Sequence, residues 1–119
     1  MFAEKSVYTP MSNDEGTRVL VMRTWPRGVS SGRIDVWLKE LGPLPELLEG
    51  LSTRRLSWLQ FEEAYLRQLQ TRPESKEALA MLQDLARTGG RVTLFCHERQ
   101  PPCHRFVLLR WLTNATAPS

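Results

Sequence analysis

Two stretches of the chain are continuously apolar, and they lie far apart. Arg18-Val19-Leu20-Val21-Met22-Arg23-Thr24 and Arg91-Val92-Thr93-Leu94-Phe95-Cys96 are short and hold β-branched residues, the pattern of strands covered on both faces. Ser6-Val7-Tyr8-Thr9, closed by Pro10, predicts a third short strand. Elsewhere the apolar positions recur at helical spacing. Ile34, Trp37, Leu38 and Leu41 share one face and predict a helix over about 32–41, stopped by Gly42 and Pro43. Pro45 to Leu51 predicts a short helix with Leu47, Leu48 and Leu51. Ser57 with Gln60 has the form of a capping box and opens a helix striped by Trp58, Phe61, Tyr65 and Leu69. A further helix opens at Ser75, carries Leu79, Leu82, Leu85 and Ala86, and ends at Gly89-Gly90. The last, about 103–113, is apolar nearly all round and is expected to be buried; 114–119 is expected to fray.

Apolar strands separated by helices favour parallel pairing through helical crossovers. The pattern therefore predicts a single α/β domain over 1–119. Its expected core is a small, mainly parallel sheet of about three strands covered by about five helices.

Composition narrows this little. The net charge is +3, and the basic residues are thirteen Arg against three Lys. Arginine's planar fork suits carboxylates and phosphates, although such a bias also follows from genome composition. No run of five like charges announces a nucleic-acid tail. No apolar run approaches the roughly 20 residues of a membrane span, and residues 1–5 do not resemble a secretory signal. The expectation is a cytoplasmic protein with reduced thiols and no membrane partner.

Candidate chemistry is concentrated in one place. Both cysteines and both histidines fall within Cys96-His97-Glu98-Arg99-Gln100-Pro101-Pro102-Cys103-His104-Arg105, between a predicted strand and a predicted helix. Reactive residues at the carboxyl end of a strand sit where open α/β sheets bind ligands. Cys103, near a helix N-terminus and beside His104 and Arg105, is the expected nucleophile, because the helix dipole and a nearby cation favour a thiolate. Glu98 and His104 are the candidate proton carriers, with Cys96 beside them. The cysteine-phosphatase pattern is not met: it needs five residues between Cys and Arg, whereas eight separate Cys96 from Arg105. A zinc site from Cys96, His97, Cys103 and His104 has suitable donors but poor spacing, since adjacent Cys-His pairs seldom aim at one ion, so no metal ligand is assigned. A redox pair of the two cysteines stays open as an alternative.

A second patch, Arg23, Trp25 and Arg27 with Arg33 nearby, also follows a strand. The two patches would share one cleft if their strands are parallel neighbours. Arg23, Arg27 and Arg105 would then bind an anion with Trp25 beside them. The competing readings are a packed Trp25 with paired arginines, and an aromatic stripe on the middle helix that is simply core.

The run Val19-Leu20-Val21-Met22-Arg23-Thr24-Trp25-Pro26-Arg27-Gly28-Val29-Ser30 resembles the N-terminal signature of the YeaO-like bacterial family, a domain of unknown function. Ser6 to Pro10, Trp37, Trp58, Phe61 and Tyr65 also fall where that family places such residues. Met22 departs from it, since such chains carry an aspartate there. The ending, Cys96-x-Glu98 then Cys103-His104-Arg105, resembles the broader superfamily instead. The resemblance implies a small α/β fold, a bacterial or archaeal cytosolic setting and a site at Arg23, Arg27, Cys96, Glu98, Cys103, His104 and Arg105. It supplies no substrate, and the cofactor stays unknown. The resulting expectation is an enzyme on a small anionic or phosphate-bearing substrate. The alternatives are a non-catalytic module for nucleic acid or nucleotide, and a redox- or metal-responsive regulator.

Overall fold

Val92–Cys96 (β4) is buried along its whole length and forms the axis of the sheet. In the computed structural model, which describes residues 2–97 and 103–116, it pairs on one side with Phe2–Ser6 (β1) and on the other with Thr17–Leu20 (β2). Val36–Trp37 (β3) pairs with the outer edge of β2, giving the order β1-β4-β2-β3 with every pair parallel. The chain is α/β, as its pattern predicts, with four strands and four helices among the described residues: Pro45–Ser52 (α1), Trp58–Thr71 (α2), Pro73–Gly89 (α3) and His104–Thr116 (α4).

Strand side chains alternate between faces, and the two faces of β4 are treated differently. Val92 and Leu94 join Val19 and Val21 against Tyr65, Leu69, Leu82, Leu108 and Leu112 of α2, α3 and α4. Phe95 and Leu20 face the other way, against Val7, Met22, Val29 and Ile34, so loop segments cover that face. There Arg33 lies over the Phe95 ring at 4.6 Å. Its guanidinium meets the buried Glu15 carboxylate, which also holds Lys5 at 2.9 Å and Arg18 at 2.7 Å. One carboxylate thus ties β1, β2 and the loop between them together.

Three elements differ from the sequence expectation. The first strand is Phe2–Ser6, earlier than Ser6–Thr9: Thr9 folds back on Ser6 through both its N–H and its hydroxyl. The second strand ends at Leu20; Val21 N–H still donates to Phe95 O at 3.0 Å, and Met22, Arg23 and Thr24 beyond it line a cavity. The stretch expected as a helix over 32–41 is instead β3 between two short 3-10 turns, Ser31–Arg33 and Lys39–Leu41. The N–H of Asp35 donates to Arg18 O and that of Leu38 to Leu20 O, both at 2.9 Å, while Arg18 N–H donates to the Asp35 carboxylate at 2.8 Å. Sheet pairing with β2 outcompetes the helical bonds that the apolar spacing allowed.

Candidate functional site

The carboxyl ends of the two central strands and the N-terminus of α4 converge on a cavity of about 310 Å³. Cys96 ends β4. Its carbonyl accepts from Val7 N–H at 2.9 Å, which pins that strand end against β1. Cys103 precedes α4 and its carbonyl accepts from Phe106 N–H at 3.1 Å, so it sits at the helix boundary. Placed there, its side chain escapes the helical array, and both Cys103 and the next residue, His104, reach toward Cys96.

The Cys103 thiol donates to Cys96 Sγ at 3.0 Å, too long for a disulfide bond. His104 Nδ1 lies 3.9 Å from Cys96 Sγ and 3.7 Å from Cys103 Sγ. Its other nitrogen, Nε2, is 2.5 Å from the Val21 carbonyl at the end of β2. A carbonyl only accepts, so Nε2 carries the hydrogen; the neutral tautomer with that hydrogen leaves the Nδ1 lone pair facing both sulfurs. Tyr65 sets its ring edge-on to His104, centroids 5.6 Å apart, and donates its hydroxyl to Leu41 O at 2.5 Å. Burial, with the nearby sulfurs, holds that phenol well above its ordinary range, so Tyr65 stays a neutral donor.

Cys103 departs from its expected thiolate state. The hydrogen bond to Cys96 and then burial push its thiol well above the ordinary range; the Arg105 N–H at the helix start and the Arg105 charge pull the other way and are outweighed. The Cys103 proton is thereby directed at Cys96.

Trp58 and Phe61 of α2, stacked 5.1 Å apart, line the cavity with Leu48 and Leu51 of α1. Sequence reasoning assigned this stripe to core, which holds for the fully buried Phe61 and Tyr65; what it missed is that the end near the Ser57 cap is also a wall. Arg23 lines the cavity too. Its Nε donates to Gly42 O at 3.2 Å and Pro43 O at 3.1 Å, and its buried Nη2 has no hydrogen-bond partner among the described residues. A Cβ on Gly42 would fall 2.7 Å from Arg23 N, so glycine permits this close approach. The Gly-Pro pair was legible as a stop signal, not as the dock for Arg23.

Of the expected site residues, the structure brings together Arg23, Cys96, Cys103 and His104. His97 also lines the cavity, with Nδ1 3.9 Å from Cys96 Sγ. Glu98 lies outside the described residues. Trp25 is not on the cavity: its indole donates to Val29 O at 2.8 Å and its ring meets exposed Trp37 edge-on at 5.5 Å. Arg27 is exposed on the same turn, where its carbonyl accepts from the Tyr8 hydroxyl. Arg105 is buried on the β1 side, with Nε 2.7 Å from Glu4 Oε1 and its guanidinium over the Phe106 ring. It forms an ion pair with Glu4 next to the site, and among the described residues Arg23 is the arginine that lines the cavity.

Fold and site together define the class: a parallel α/β protein with two thiols and two imidazoles gathered at the carboxyl ends of its central strands. The family described as the active DUF488-N3 subclade matches residues 3–116, and the chain belongs to it. The uncharacterised protein YeaO of Escherichia coli strain K12 is 32% identical over 112 residues, covering 92% of this chain and 95% of that protein. The uncharacterised protein Rv3073c of Mycobacterium tuberculosis is 34% identical over 88 residues, 72% of this chain and 70% of that one. No solved structure matches the chain.

Proposed function

We propose that the protein is an enzyme whose Cys96 sulfur attacks a small substrate bearing a phosphate or another anionic group. One observation carries this reading: two sulfurs 3.0 Å apart face the Nδ1 of a histidine whose tautomer is fixed from behind. Nδ1 takes the Cys96 proton, and a lone pair of the Cys96 sulfur forms a bond to the electrophilic atom of the substrate as the bond to the leaving group breaks. The leaving group takes the proton from His104. Water then displaces the transferred group from Cys96 and restores the thiol, so the net reaction is hydrolysis and needs no oxidant. The Cys103 thiol steadies charge on Cys96 through its hydrogen bond. Arg23 receives the anionic group, and Trp58 and Phe61 cover the apolar part of the substrate.

Paired alkylation tests this with no known substrate. Iodoacetate and iodoacetamide share one electrophilic carbon and differ in charge. Cys96 is expected to alkylate first, with a preference for iodoacetate that Arg23→Met removes. A folded protein in which Cys96 resists both reagents, or a preference untouched by Arg23→Met, would contradict the reading. A second reading, a surface for nucleic acid, rests on the exposed Trp25–Trp37 pair beside Arg27. It predicts strongly salt-dependent RNA or DNA binding that is lost in Trp25→Ala.

A further inference from the structure

Cys96 Sγ, Cys103 Sγ and His104 Nδ1 all lie within 4.8 Å of one another on buried residues, the one such trio among the described residues. Thiolate and imidazole donors select zinc or copper(I) over calcium or magnesium. A tetrahedral zinc ion, with bonds of about 2.3 Å to sulfur and about 2.0 Å to nitrogen, sets sulfurs about 3.8 Å apart and sulfur about 3.6 Å from nitrogen. The sulfur–nitrogen separations of 3.9 and 3.7 Å already suit that frame. The sulfurs, at 3.0 Å, need to part by about 0.8 Å, within reach of a small cysteine rotation. The second observation is the Val21 carbonyl on Nε2, the outer partner that zinc-binding histidines use to fix ring and tautomer. The spacing argument against a metal fails here because Cys103 lies outside the helix that His104 begins, so the adjacent pair aims at one point.

We propose that Cys96, Cys103 and His104 are the three protein ligands of a zinc ion whose fourth position opens to the cavity. Binding forms two Zn–S bonds and one Zn–N bond and releases both thiol protons to solvent; nothing is oxidised or reduced. Because the ion occupies both sulfurs, the zinc-loaded protein is the silenced form of the thiol site. That silencing rests on the reading of Cys96 as nucleophile, whereas the binding itself does not.

The test titrates the metal-free, reduced full chain with Co²⁺ as a spectroscopic probe. One equivalent should give a thiolate-to-cobalt charge-transfer band and the visible bands of tetrahedral cobalt. Zn²⁺ should displace the cobalt and shield both cysteines from iodoacetamide. Cys96→Ser, Cys103→Ser and His104→Gln, each checked for folding by circular dichroism, should weaken binding by more than the roughly 10–100-fold that loss of an outer partner costs. No charge-transfer band at one equivalent, or equal alkylation of the folded wild type with and without Zn²⁺, overturns the site. Unshielded but reactive cysteines would overturn the metal site alone. A cobalt band on a protein whose metal-free Cys96 is inert would overturn the thiol reading alone.

Discussion

At the scale of single residues, Glu15 shows how much one buried side chain organises. Burial alone would raise its carboxyl; hydrogen bonds from Arg33, Lys5 and Arg18 together outweigh this and bring it from 4.5 down to about 2. A folded-state value below the unfolded one adds stability that is complete above about 4.5 and is lost as pH falls through about 2. The shift corresponds to about 3 kcal/mol at neutral pH. Glu15→Gln should therefore lose about 3 kcal/mol in urea unfolding at pH 7, with the gap to wild type closing as pH approaches 2. A gap that stayed constant with pH would assign the loss to packing. The sequence offered no sign of this carboxylate, since Glu15 sits in a polar stretch that reads as loop. The candidate site residues were more legible, because Cys96, Cys103 and His104 fall within nine consecutive positions. Which sulfur keeps its proton was not: the expected helix dipole and Arg105 do act on Cys103, but the thiol–thiol bond and burial act more strongly.

At the scale of elements, local signals were reliable where they close on themselves. The box at Ser57 and Gln60 is formed in both directions, at 2.9 and 3.1 Å, and it sets the start of α2 where Trp58 and Phe61 wall the cavity. Ser57→Ala should cost about 1 kcal/mol and speed amide exchange in the first turn of α2, leaving Cys96 alkylation intact. Signals that depend on a distant partner misled. Ile34, Trp37, Leu38 and Leu41 have helical spacing, yet β2 recruits their backbone into the sheet edge. The turn after β2 shows the same limit. Arg23 is carried inward by the carbonyls of Gly42 and Pro43, whereas Trp25 is folded back onto Val29. Gly42→Ala should force that contact apart, lowering stability by about 1–3 kcal/mol and weakening the iodoacetate preference at Cys96. An unchanged preference would mean that Arg23 does not depend on this dock.

At the scale of the whole molecule, parallel pairing of β2 and β4 is what brings Val21 and Arg23 beside Cys96, Cys103 and His104. Helices separating apolar strands made that pairing legible, and with it the approach of Arg23, though not of Trp25 or Arg27, to the two cysteines. The order with β4 between β1 and β2 was not legible, because the chain pattern does not state which strand is central. The topology places the carboxyl ends of both central strands at one rim, and the Val21 carbonyl there orients the ring on which the nucleophile and metal proposals both depend. No helix among the described residues is long and apolar enough to cross a membrane. The most direct test of this arrangement is the tautomer of His104, read from long-range proton–nitrogen NMR correlations of the reduced, metal-free protein at neutral pH. The account predicts hydrogen on Nε2 and a bare Nδ1. Hydrogen on Nδ1 would leave the ring neither base nor ligand for the two sulfurs and would contradict it.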